Sequence, residues 1–162
     1  MKALYWILPG LLAGRPGPQM VPWDLAELRE MGFQTIVSLV SVDGELIRAA
    51  GFRHLYVPLD GALAFLPHLR RRLARRMRPV VDFVAEEVAA GRPTLVHCRR
   101  GNDRTGAVLA AYLACYQGLT PEEAIQRVLE ANPHAMRSLG FKPLVRTICM
   151  EEVGRRGSFV SF

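Results

Sequence analysis

The chain has 162 residues, 50% of them hydrophobic, and carries 21 Lys and Arg against 15 Asp and Glu, a net charge of +6. That length allows a sizeable core but is short for two domains, so one globular domain over residues 1–162 is expected, and no run approaches the roughly 18 apolar residues of a membrane span. Cys98, Cys115 and Cys149 are odd in number and widely spaced, with no CxxC pair, so they suggest neither a disulfide framework nor a zinc site and fit a reducing, cytoplasmic compartment.

Ala3 to Leu8 reads as a strand, Pro9-Gly10 as a turn and Leu11 to Ala13 as a second short strand ending at Gly14. Met1 to Gly14, one Lys followed by an apolar stretch, has the outline of a signal peptide, but Pro9 and Gly10 interrupt it and the same residues serve as the opening strand. After the stiff Pro16-Gly17-Pro18 loop, Leu25, Leu28 and Met31 fall on one face of a helix over Asp24 to Met31, stopped by Gly32. Phe33 to Leu39, rich in Thr, Ile and Val, predicts a core strand. Asp43 opens a short helix through Ala50, and Phe52 to Val57 is the next strand.

Leu66, Leu69, Leu73 and Met77 recur at helical spacing through an arginine-rich insert at 65–78, and Pro79 then suits the first turn of a separate helix through Ala90. Thr94 to Val96 follows the breaker pair Arg92-Pro93 as a buried strand, and Ala107 to Gln117 is a helix rich in Ala and Leu. Thr120-Pro121-Glu122-Glu123 combines an N-cap, an early Pro and a capping-box Glu for a helix to Ala131, broken at Asn132-Pro133. Phe141 to Val153 supplies a last helix, and the Arg155 to Phe162 tail takes no assignment. The alternation of strands and helices predicts an α/β three-layer sandwich, a central largely parallel (mixed) sheet flanked by helices, with sites beyond the carboxyl ends of its strands.

Between the strand at Thr94 and the helix at Ala107 lies His97-Cys98-Arg99-Arg100-Gly101-Asn102-Asp103-Arg104-Thr105-Gly106. At a strand-to-helix turn the orphan backbone N–H groups and the positive helix end point at one spot, which suits an oxyanion or a thiolate. A thiol at a helix mouth beside a guanidinium ionises below its ordinary value of about 8.5 and becomes nucleophilic at neutral pH, and Cys98 stands in that place. Arg104 offers a planar fork that matches two phosphoryl oxygens. Gly101 permits the left-handed backbone of the curl, and Gly106 lets helix and loop approach closely. Thr105 is placed to hydrogen-bond the Cys98 sulfur, and His97 to order the loop rather than to act as base. The expected phosphate contacts are Arg99, Arg100, Gly101, Asn102, Asp103 and Arg104.

This loop resembles the Cys-x5-Arg-[Ser/Thr] signature of the cysteine-dependent phosphatases, in its HCxxGxxR[ST]G form. Trp6 to Gly14 and Thr35 to Leu39 are similar to the opening of the small atypical dual-specificity phosphatases of the protein tyrosine phosphatase superfamily, and with the Thr120-to-Ala131 helix the resemblance spans most of residues 4–131. It implies a cysteine-phosphatase fold, hydrolysis of phosphomonoesters through a cysteinyl-phosphate, and no metal or organic cofactor. The family carries its general acid on a mobile loop after a strand, a place that Tyr56-Val57-Pro58-Leu59-Asp60 resembles, so Asp60 is expected to protonate the leaving oxygen. Asp103 is the alternative acid, because some relatives use an Asp directly before the signature Arg, often preceded by Lys where this chain has Asn102.

The charge surplus is local: Arg70, Arg71, Arg72, Arg75, Arg76 and Arg78 have no acid among them, and the rest of the chain balances to zero. Such a segment predicts an anionic partner, whether a phosphoinositide surface, an RNA 5′ end or an acidic phosphopeptide. Phosphotyrosine, phosphoserine, phosphothreonine, inositol phosphates and RNA 5′-triphosphate all remain open as substrates. Rhodanese and arsenate-reductase transferases also place a Cys in an anion-binding loop, and a non-catalytic phosphate-binding module is a third class. Gly101, Thr105 and Gly106 favour the phosphatase, and the intact Cys98 and Arg104 speak against the module. A monomer is expected.

Overall fold

The structure, a computed structural model, describes residues 3–157, with side chains described for residues 3–150; of the tail, residues 158–162 lie outside it. In chain order the elements are β1 (Tyr5–Leu8), β2 (Leu12–Pro16), α1 (Leu25–Glu30), β3 (Thr35–Ser38), α2 (Gly44–Ala49) and β4 (Arg53–Tyr56). They continue with α3 (Pro67–Ala89), β5 (Thr94–Cys98), α4 (Asp103–Tyr116), α5 (Pro121–Ala131) and α6 (Phe141–Gly157). Short polar side chains set several of the starts. Asp24 Oδ1 accepts from the Ala26 and Glu27 N–H groups at 2.8 and 3.2 Å, Asp43 Oδ1 accepts from Leu46 N–H at 3.0 Å, and Thr120 and Glu123 close a reciprocal capping box.

The five strands form one sheet in the order β1-β2-β5-β3-β4, with β1 antiparallel to β2 and the remaining pairs parallel. Neighbouring residues along a strand face opposite sides, so Leu12, Val37 and Val96 enter the core under α3, α4, α5 and α6. Ala13, Ile36 and Leu95 enter the second core, beneath α1 and α2. This is the three-layer α/β arrangement. The register pairs Pro16 with Cys98 and Ser38 with His97, which brings three strand ends level at one edge. Among the described residues no helix is long and apolar enough to cross a membrane.

Pro79 does not begin a helix; it lies inside the single 23-residue α3. An interior Pro removes one ladder donor and costs about 3 kcal/mol. Against that, Leu73, Met77, Val80, Val81 and Val84 form one buried stripe running through the proline, and each buried side chain returns roughly 1.5–3 kcal/mol. Burial therefore carries the helix across the breaker. Near its end, Glu87 is a buried carboxylate that accepts from Thr35 Oγ1 at 2.5 Å, from Arg53 at 3.1 Å twice and from Arg92 at 2.7 and 3.0 Å. Burial alone would push this carboxyl up, but Arg92, Thr35 and Arg53 together hold it at about 2.

The arginines of this helix do not form one open cationic face. Arg70 Nη1 donates to the Ala64 and Phe65 carbonyls at 3.3 Å, Arg76 Nη2 to the Pro58 carbonyl at 2.8 Å, and Arg78 Nε pairs with Asp82 Oδ1 at 2.9 Å. Residues 58–65 are thus clasped from α3, while Arg71 and Arg72 stay exposed.

Candidate active site

Strand β5 ends at Cys98 and α4 begins at Asp103, four positions earlier than the Ala-rich pattern predicts, so Asp103, Arg104 and Thr105 occupy the first helical turn. Asn102, the N-cap, supplies no side-chain hydrogen bond to the helix, and its Oδ1 accepts instead from Asn132 Nδ2 at 3.0 Å. The opening amides of α4 are therefore uncapped by their own N-cap side chain, the condition under which a helix start accepts an anion. Gly101 has φ +73° and lies so close to the Arg15 and Pro16 backbone that only hydrogen fits there. Its carbonyl accepts the Tyr5 hydroxyl at 2.6 Å.

Cys98, only 2% exposed, lies at the base of a cleft of about 630 Å³. Arg99, Arg100, Asp103 and Arg104 line the same cleft, as does Asp60 from the segment after β4. Of the phosphate contacts expected from sequence, Gly101 and Asn102 are not among the residues that line it; the Gly101 carbonyl accepts from Tyr5 and the Asn102 side chain from Asn132. Arg104 Nη1 donates to the Leu59 carbonyl at 2.8 Å and so ties the Asp60 segment to the loop. Among the described residues Asp60 Oδ1 accepts only the Ala62 N–H, at 3.0 Å. Asp103 is held on both oxygens by Ser138, by its N–H at 3.3 Å and its hydroxyl at 2.5 Å. The Thr105 hydroxyl is buried and has no hydrogen-bond partner among the described residues.

Behind the loop, His97 is fully buried, and burial pushes its imidazole down to about 4, with the nearby Arg15 and His54 acting in the same sense. The ring is therefore neutral at pH 7. Its Nε2 meets Ser38 Oγ at 2.7 Å, which in turn meets His54 Nε2 at 2.8 Å, and its Nδ1 lies 3.3 Å from the Cys98 carbonyl. Trp23 packs edge-on against the imidazole, and the buried Arg15 guanidinium stands 5.4 Å from the Trp23 ring centre. These contacts fix the imidazole from both ring nitrogens and one edge.

Sequence reasoning misses Tyr5, Asn132, Ser138 and Arg137. Arg137, Ser138 and Leu139 come from the α5–α6 connection and line the cleft more than 30 residues from Cys98. Only the break at Asn132-Pro133 marks that segment, and a break says nothing of where the loop lands. Among the described residues no cluster of His, Cys, Asp and Glu could hold a metal ion.

The profile of the dual specificity phosphatase catalytic domain matches residues 20–148. Human dual specificity phosphatase 28 is 36% identical over 96 residues, covering 58% of this chain and 50% of that protein. The phosphatidylglycerophosphate phosphatase PTPMT1 of Arabidopsis thaliana is 24% identical over 120 residues, 71% of this chain and 34% of its own length. The chain thus spans half or less of these relatives. The crystal structure of human DUSP28 superposes with a TM-score of 0.73 at 24% identity, over 94% of this chain and 97% of that one, a likeness of fold. With its loop between β5 and α4 and its domain match over most of its length, the chain belongs to the dual specificity phosphatase catalytic-domain family.

Proposed function

We propose that this chain is a cysteine-dependent phosphohydrolase that cleaves phosphomonoesters on phosphorylated proteins or other anionic substrates. The observation that carries the reading is the convergence of Cys98, Arg104 and Asp60 on one cleft. The Cys98 sulfur attacks phosphorus in line, forming the S–P bond as the P–O bond to the leaving group breaks. Arg104 and the α4 amides hold the equatorial oxygens, and Asp60 gives its proton to the departing oxygen. Water then attacks the cysteinyl-phosphate, Asp60 takes the water's proton, and phosphate leaves as the thiolate re-forms. The hydrogen bond from Thr105 to this sulfur that the sequence suggests is not formed in the structure, where the buried Thr105 hydroxyl has no partner among the described residues, so Thr105 is assigned no step.

Asp60 rather than Asp103 is assigned the acid role because Asp103 already spends both oxygens on Ser138, whereas Asp60 keeps Oδ2 unengaged among the described residues. His97 orders the loop. We also assign the chain to a reducing, cytoplasmic compartment, because none of Cys98, Cys115 and Cys149 is in a disulfide. A phospholipid monoester is a second substrate class, favoured by the exposed Arg99, Arg100 and Arg137 at the cleft and by the activity in the plant relative's name.

Hydrolysis of p-nitrophenyl phosphate is expected for the wild type and absent in Cys98→Ser, with no thiosulfate-to-cyanide transfer. Asp60→Asn should slow alkyl phosphates by about 10²–10⁴-fold while sparing the activated aryl ester, which needs no proton to leave. Equal loss on both substrates, or none, moves the acid to Asp103; activity in Cys98→Ser ends the proposal.

A further inference from the structure

The loops that wall the cleft, residues 61–66 and 137–140, carry apolar side chains that the fold leaves in water. Leu139 is 78% exposed, Leu63 50% and Phe65 48%, although burying such side chains would be favourable. They are not scattered. Phe65 and Leu139 line the cleft, and Leu63 lines the adjoining hollow that shares Asp60 with it. The same cleft is lined by Arg99, Arg100 and Arg137, exposed and in no ion pair among the described residues. With Arg104, four arginines outnumber the two aspartates of the cleft lining.

Unpaired guanidinium groups beside projecting apolar tips match the layered chemistry of a bilayer interface. Lipid phosphates take the planar forks while Leu and Phe side chains enter the acyl boundary. An acidic peptide would answer the arginines but would leave Leu139, at the cleft rim and 78% exposed, largely in water. We propose that the mouth of this cleft docks on an anionic lipid bilayer, with Leu63, Phe65 and Leu139 inserting and Arg99, Arg100 and Arg137 holding headgroups. Docked in this way, the cleft opens onto phosphate esters displayed at the membrane surface. The surface goes beyond the phosphohydrolase reading and is measured apart from it.

The test sediments the full chain carrying Cys98→Ser with phosphatidylcholine vesicles, with and without phosphatidylserine. Binding is expected only to the vesicles containing phosphatidylserine. Leu139→Asp and Leu63→Asp should each weaken it by at least about tenfold, and Arg137→Gln by about fivefold, since a basic residue at an anionic leaflet is worth about 1 kcal/mol. Unchanged thermal midpoints in the three variants show that the fold is intact. No binding to the anionic vesicles overturns the proposal. So does salt-sensitive binding that ignores both leucine substitutions, and so does capture of an acidic phosphopeptide without vesicle binding. Turnover plays no part in the readout, so loss of the phosphatase reading leaves this result standing on its own.

Discussion

Replacing Gly101 by alanine separates the cost of a left-handed backbone from the cost of a collision inside the anion loop. At φ +73° a side chain costs about 1–2 kcal/mol whatever the space around it. The new Cβ would also stand 2.4 Å from the Arg15 carbonyl carbon and 2.5 Å from both the Arg15 oxygen and the Pro16 nitrogen. These are backbone atoms, so no rotamer change relieves the contact. The loop must withdraw from β2, and the Tyr5 hydrogen bond to the Gly101 carbonyl, worth about 1 kcal/mol, goes with it. Gly91 is the control: its φ is +70°, yet nothing lies within 4 Å of its missing Cβ. Gly91→Ala should therefore lose about 1–2 kcal/mol, roughly 2–8 °C in midpoint, and keep its turnover. Gly101→Ala should lose at least about 1 kcal/mol more and about 100-fold in kcat, the scale of a 1 Å displacement at a catalytic centre. Thermal denaturation and aryl phosphate kinetics on the two proteins side by side supply both numbers. If the pair lose equal stability and both keep full turnover, the tight seat assigned to Gly101 is wrong.

The buried carboxylate and the buried imidazole yield two further expectations. Glu87→Ala strands the buried Thr35 hydroxyl and releases Arg53 and Arg92, which can still reach water, so a loss of about 3 kcal/mol is expected in urea denaturation, and a loss below about 1 kcal/mol would contradict the network. His97 lies at about 4 when folded against an ordinary 6.5, so the unfolded chain takes up its proton first as the medium is acidified. Its stabilising contribution is complete above pH 6.5 and falls away towards pH 4, by on the order of 3 kcal/mol. Glu87, held at about 2, keeps its full contribution above its ordinary 4.5 and loses it progressively as the pH falls from there to 2. A denaturation midpoint that stays flat between pH 7 and pH 5 would show that His97 is not buried as described.

Local chemistry made much of this legible beforehand. Asp24, Asp43 and Thr120 are N-caps because a short acceptor side chain satisfies a helix start from within three residues, and that information is contained in the segment itself. The anion loop was readable for the same reason: Cys98, Gly101, Arg104 and Thr105 lie within eight positions, and a strand-to-helix turn brings them round one point. What only the tertiary structure decided depends on partners distant in sequence. Pro79 continues a helix because Met77, Val80 and Val84 are buried against other elements, and α3 turns Arg70 and Arg76 inward because residues 58–65 offer them carbonyls. The proposed preference for Asp60 over Asp103 rests on Ser138, 35 positions from Asp103, and the close seat of Gly101 on the Arg15 and Pro16 backbone, about 85 positions away. No periodicity or spacing encodes such pairings; they exist only once the sheet order has set which loops meet at its carboxyl edge.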